Sequence, residues 1–297
     1  MTKWLRRGLM AAGLLVALAG GTIVAGDELA QGRMNRRVEL PPYPVAMKDD
    51  AASIERGQYL YQSRGCVHCH GAAGTGNVFI DDGNGLKLGG PAIGTGAGSV
   101  TVKYQPADWE RTLRHGVKPD GRPALIMPSE DYNRLTDDDL ASLVAYVHRL
   151  PPEPGRPAVL DLPLVVRVMY GFGVIPDAAS RIDHSLPPSK PVPEAVTVEH
   201  GQYVAQMCIG CHGAHLAGGK IPGGPPDWPA ATDLRPGAPG MKPYADEKAF
   251  IAMLRTGQRP DGSKPKVMPF DSLKLINDVD AQALHLYLKT MPAAAAH

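Results

Sequence analysis

The chain has 297 residues, and its 31 Lys and Arg against 30 Asp and Glu leave a formal charge of +1, which excludes a strongly basic nucleic-acid surface. Its 34 glycines and 29 prolines, beside only four phenylalanines, are many for a domain with a conventional side-chain core. They are still too few for a disordered chain.

In chain order, Lys3, Arg6 and Arg7 precede an uncharged run over residues 8–26 that contains five glycines. A positive flank followed by an apolar stretch is read by the secretion machinery as an export signal. Nineteen residues just suffice to span a bilayer, so residues 1–26 are expected to stay as a signal-anchor with the three basic residues inside. The alternative is a cleaved signal peptide, because Ala17-Leu18-Ala19 has the small-residue pattern of a cleavage site. Arg33, Arg36 and Arg37, just past the run, weigh against the anchor, and Arg6-Arg7 raises a twin-arginine signal. Residues 27–51 read as a polar, proline-containing tether.

All four cysteines fall in two pentapeptides, Cys66-Val67-His68-Cys69-His70 and Cys208-Ile209-Gly210-Cys211-His212. This is the attachment pattern of covalent c-type haem. Two thiols three positions apart on one turn can add across the vinyl groups of a single porphyrin, and the next residue then offers an imidazole to the iron. The expected cofactors are two covalent haem c groups, with His70 and His212 as proximal ligands. A four-thiolate zinc site or two redox dithiols would also use Cys-x-x-Cys, but neither needs a histidine directly after both copies. Because such haem is attached to unfolded chain after export, general secretion fits better than the twin-arginine route.

The surroundings of the two motifs repeat. Arg56-Gly57-Gln58-Tyr59 precedes the first and His200-Gly201-Gln202-Tyr203 the second, and the run from Leu113 to Gly121 recurs from Leu254 to Gly262. Each run is followed by a Met-Pro pair, Met127-Pro128 and Met268-Pro269, and further on by Tyr146 and Tyr287. Two copies of about 100 residues mean two domains and not a solenoid. Methionine is usually a core filler, yet Met127 and Met268 keep nearly the same spacing from their haem motifs and the same following proline. They are the expected distal ligands. A soft, neutral thioether favours reduced iron, and with both axial positions filled no small-molecule substrate reaches either iron. Electron transfer, not catalysis, is therefore expected. The unrepeated His115, His148, His184, His200, His215, His285 and His297 are assigned to structure or surface, and His68 to solvent.

On these residues each copy resembles a class I cytochrome c domain. The resemblance implies an all-α fold with tandem domains at 52–151 and 195–297, each wrapped around one haem, plus the N-terminal apolar helix. It also implies that Gly57 and Gly201 sit where the first helix crosses the last, facing Tyr146 and Tyr287. Leu140, Leu143, Val144 and Val147 independently keep the spacing of one helical face, after a capping pattern at Thr136 and Asp139. The Gly-rich stretches 83–98 and 218–240 read as loops around the haem edges. Between the copies, the linker 152–194 is proline-dense at both ends and encloses an apolar strip at 162–175. That strip either packs along a cytochrome domain or docks a partner subunit or the membrane surface.

More narrowly, Glu55 to Tyr59, the run from Leu113 to Gly121 and Leu135 to Leu140 are similar to the cytochrome subunits of membrane-bound periplasmic dehydrogenases. Those commonly carry three haem motifs; two are present here. The resemblance implies a di-haem electron carrier on the periplasmic side of the inner membrane, relaying single electrons from a dehydrogenase, a terminal oxidase being the other expected partner. A soluble carrier serving a terminal oxidase is the alternative. A di-haem peroxidase or thiosulfate-oxidising enzyme would need an open iron site.

Overall fold

The computed structural model describes residues 2–225 and 227–294, so His297 lies outside the described residues. The chain begins with one long helix, α1 (Lys3–Asn35). Its apolar side chains from Trp4 to Val24 are exposed, and burial begins only at Gly26 and Ala30. The segment expected to be a tether from residue 27 instead continues this helix to Asn35. Beyond the apolar run, Arg33 stacks on the Tyr170 ring, Arg36 makes a forked ion pair with buried Asp177, and Arg37 donates to the Asp120 carbonyl. The three arginines that counted against an anchor are therefore engaged in fastening α1 to the rest of the molecule.

Two similar halves follow. The first contains α2 (Ala51–Ser63), α3 (Cys66–His70), α4 (Pro106–His115) and α5 (Asp137–Val147). Asp50 caps α2 by accepting from the Ser53 N–H, and Thr136 caps α5 by accepting from the Asp139 N–H, so each helix starts with one orphan donor satisfied. The reciprocal half of the expected capping box is missing, because the Asp139 carboxylate is taken by Arg56 at 2.8 and 3.0 Å. Helix α5 buries Leu140, Leu143, Val144 and Val147, as their spacing predicts. They pack with Leu60, Tyr61, Trp109 and Leu113. Each such fully buried aliphatic side chain contributes about 1.5–3 kcal/mol.

The fold is not purely helical. Strands β1 (Asn77–Asp81), β2 (Lys87–Gly90) and β3 (Val159–Asp161) form a small antiparallel sheet in the order β1-β2-β3, with Leu88 opposite Leu160. Part of the stretch 83–98, expected to be loop, therefore lies in this hairpin. A Cβ at Gly90 would run into Cys69, so the glycine lets β2 lie against α3.

The linker also has structure. Helix α6 (Leu164–Gly171) packs on the end of α1, not along either half, and α7 (Ala178–Arg181) follows it. The second half then repeats the first with α8 (Val198–Ala205), α9 (Ile209–His212), α10 (Glu247–Thr256), α11 (Phe270–Leu273) and α12 (Asp278–Thr290). Its core joins Val204, Phe250, Leu254, Leu273, Ile276, Leu284 and Leu288.

The first and last long helices of each half cross at a glycine. A Cβ at Gly57 would overlap the Ser142 carbonyl oxygen and stand 2.8 Å from Tyr146 Cβ. At Gly201 it would overlap the Ala283 carbonyl oxygen and stand 2.7 Å from Tyr287 Cβ. Both glycines thus occupy the crossings and face the tyrosines that the resemblance implied.

The halves meet through contacts that exchange roles. The Tyr59 hydroxyl donates to Asp280 Oδ2 at 2.6 Å and accepts from the Asn277 N–H at 3.2 Å. In return, the Tyr203 hydroxyl donates to Asp139 Oδ2 at 2.6 Å and accepts from the Thr136 N–H at 3.3 Å. Tyr59 and Tyr203 are repeat counterparts, as are Asp139 and Asp280, so each half ties its first helix to the cap of the other's last helix.

Candidate functional site

Each pentapeptide folds as a short helical turn, α3 in the first half and α9 in the second. Cys66, Cys69 and Cys208 are half-buried and Cys211 is exposed; all four are free thiols in this structure. Among the described residues, no three or more His, Cys, Asp or Glu side chains gather to hold a metal ion. The four-thiolate arrangement is thus not formed. Burial pushes the Cys66 thiol up to about 12, Cys69 to about 11 and Cys208 to about 12. Redox dithiols need the opposite shift.

The two motif histidines are oriented alike. His70 Nδ1 lies 2.8 Å from the Pro91 carbonyl oxygen and His212 Nδ1 2.7 Å from the Thr232 carbonyl oxygen. A carbonyl only accepts, so the proton sits on Nδ1 and the Nε2 lone pair is left for a metal. Burial also pushes both imidazoles below the usual histidine range, the carbonyl bond partly opposing it, which favours the neutral, ligating form. Met127 is half-buried against the core that receives Cys66, and Met268 against the core that receives Cys208. The donor set on each side is therefore two thiols, an imidazole with a free Nε2 and a neutral thioether beside one apolar core. That set fits haem c.

The polypeptide after each methionine reaches across to the other half's motif. Asp131, four residues after Met127, accepts from the Gly210 N–H at 2.7 Å. Burial holds its carboxyl well above the ordinary range, with that N–H bond partly opposing. A Cβ at Gly210 would fall 2.8 Å from both Asp131 oxygens, so a larger residue there would displace the Asp131 carboxylate. Ser272, the counterpart of Asp131, lies beside Gly65, directly before Cys66. His68, expected in solvent, is half-buried in this region.

Arg64 has no counterpart, because the first copy has two more residues between its tyrosine and first cysteine than the second. Its side chain is 7% exposed and pairs at 2.7 Å with Asp280, whose side chain is fully buried. His200, the counterpart of Arg56, donates from Nε2 to Asp280 at 2.7 Å. Burial alone would raise the Asp280 carboxyl, but Arg64, Tyr59 and His200 outweigh it and hold it at about 2. Of these partners the sequence assigns only His200, to structure or surface, and it takes the structural place. The recurrence of Tyr59 as Tyr203 and of Asp139 as Asp280 was the available signal.

Residues 54–151 match the cytochrome c family. Over most of its length the chain is similar to cytochrome subunits of dehydrogenases. It is 28% identical over 290 residues to the fructose dehydrogenase cytochrome subunit of Gluconobacter japonicus, covering 86% of this chain and 56% of the relative. It is 26% identical to the cytochrome c subunit of the quinone alcohol dehydrogenase of Gluconobacter oxydans, covering 84% and 56%. The gluconate 2-dehydrogenase cytochrome c subunit of Pantoea cypripedii is 26% identical, with 84% and 62% covered. The chain thus spans a little over half the length of these relatives.

Proposed function

We propose that this chain is a di-haem c-type cytochrome that relays single electrons on the periplasmic side of the inner membrane, as a subunit or dedicated partner of a respiratory dehydrogenase. The observation that carries the reading is the duplicated donor set, with each motif histidine held by an Nδ1–H bond to a carbonyl beside a core that also receives a methionine. Haem c bound at each site supplies reversible one-electron exchange. Cys66 and Cys69, and Cys208 and Cys211, would hold the porphyrin covalently, and His70 with Met127, and His212 with Met268, would hold its iron. Tandem cytochrome domains at 52–151 and 195–297 follow from this reading. The relatives' names support a dehydrogenase as electron donor, while a terminal oxidase remains the acceptor of the soluble-carrier reading. Residues 8–26 anchor the protein, supported by the exposed apolar side chains of α1 and by its unbroken continuation into the fold.

The pyridine haemochrome assay is expected to give two haems per chain, and the oxidised protein the near-infrared sulfur-to-iron band. Met127→Ala and Met268→Ala should each remove one haem's share of that band without releasing covalent haem. A single haem per chain, or a band that survives either substitution intact, overturns the symmetric assignment.

A further inference from the structure

The apolar strip is only partly consumed by its contact with α1. Val168 and Phe172 press against Gly26, and a Cβ at Gly171 would meet the Gly26 carbonyl and the Ala30 N–H, so the two backbones touch through small residues. Arg167 pairs with Asp27 at 2.9 Å, and Tyr170 lies under Arg33. Leu164, Val165, Phe172 and Val174 nevertheless remain 46–63% exposed, next to the only segment of the described chain long and apolar enough to cross a membrane.

The level of this contact along α1 identifies what covers it. At 1.5 Å per residue the run 8–26 is about 28 Å long, close to the roughly 30 Å hydrocarbon thickness of a bilayer. Of the residues that α6 touches, Gly26 ends the run and Asp27, Ala30 and Arg33 occupy the next two turns. Those turns span about 10 Å and fall in the headgroup layer. A helix with an apolar flank held at that depth has lipid as its neighbour, while its charged group is neutralised in place by Asp27.

We infer that α6 is an interfacial element of the membrane anchor, with Leu164, Val165, Phe172 and Val174 seated in the headgroup and upper acyl layer of the outer leaflet. This rests on the proposed anchoring through α1. The tie from Tyr170 and Arg36 to Asp177 holds α1 and the linker together, and the Arg37 bond to the Asp120 carbonyl and the Arg181–Glu130 ion pair carry the same fixed height to the first half, so the inference assigns the linker a second role: it sets how far the haem domains stand above the lipid.

The test uses the full haem-loaded chain in phosphatidylcholine–phosphatidylglycerol vesicles doped with a phospholipid carrying a diazirine near the top of its acyl chain. After irradiation, peptide mass mapping should find adducts on residues 8–26 of α1 and also on residues 164–174. Val165→Asp with Val174→Asp should lower the second yield several-fold while haem content and the α1 adducts are unchanged. Adducts on α1 without any on α6 overturn this inference and leave the anchor standing, including the case in which a protein partner covers the strip. Absence of adducts on both overturns the anchor itself.

Discussion

Replacing Asp280 by Ala is expected to destabilise the haem-loaded protein by about 3–5 kcal/mol, the cost of leaving a buried charge without its partner. The charge is Arg64, which is 7% exposed and faces a carboxylate with no exposed surface. The same substitution strands the Tyr59 hydroxyl and the His200 Nε2–H, both of which donate to Asp280. Denaturant unfolding of wild type, Asp280→Ala, Arg64→Met and the double variant measures the coupling. Removing both charges should recover much of the loss, since an apolar replacement of a complete buried pair is often nearly neutral. A loss under about 1 kcal/mol would instead mark the pair as a solvent-screened surface bridge. The pH dependence has a definite sign. The Asp280 pKa is depressed to about 2 in the folded chain, against about 3.9 unfolded. Its stabilisation is therefore complete above the unfolded value and is lost as pH falls from about 4 through about 2. In Asp280→Asn that acid-side loss should flatten.

Gly57→Ala and Gly201→Ala are expected to reverse the usual sign of such changes in helices. In an unobstructed helix interior, Ala is favoured over Gly by about 1 kcal/mol. Gly32 in α1, with nothing near its missing side chain, should follow that rule and serve as the control. At the two crossings the new methyl would overlap a backbone carbonyl oxygen, which has no rotamer by which to escape. The helices must separate, at a cost of about 1–3 kcal/mol or more that outweighs the propensity gain. Thermal unfolding of the purified holoprotein, read with haem content, should show both variants below wild type. Stability equal to that of Gly32→Ala would show that the crossings are looser than described.

Legibility in the sequence tracks distance along the chain. The two Cys-x-x-Cys-His pentapeptides and the buried face of α5 depend on local spacing or on a whole unit repeated, and residue order alone locates them; the crossing glycines are legible only through the resemblance to class I cytochrome c domains. The sheet is not legible in this way. Its strands are three to five residues long, and β3 joins from beyond the first half. Nor are the ties between halves, because Tyr59 and Asp280 are 221 residues apart, and their recurrence as Tyr203 and Asp139 shows that the positions repeat but not that they pair across the halves. Arg33, Arg36 and Arg37 show a different failure. Counted as charge they oppose an anchor, whereas their geometry spends them on Tyr170, Asp177 and Asp120. Charge is legible in a sequence, but its neutralisation by a distant carboxylate is not.

The exchanged tyrosine–aspartate contacts also bear on dilution. A contact in which each side offers the other the same patch is of the isologous kind, the geometry by which two identical subunits close on each other. Here both patches belong to one polypeptide and satisfy one another. Joining the halves through the linker turns an association that would weaken with falling protein concentration into one fixed at an effective concentration on the order of millimolar. The spacing between the two motif turns is accordingly the same at nanomolar protein as at high concentration. With both copies on one chain, each position can also differ from its twin, as Arg56 and His200 do, each on the aspartate of its own half.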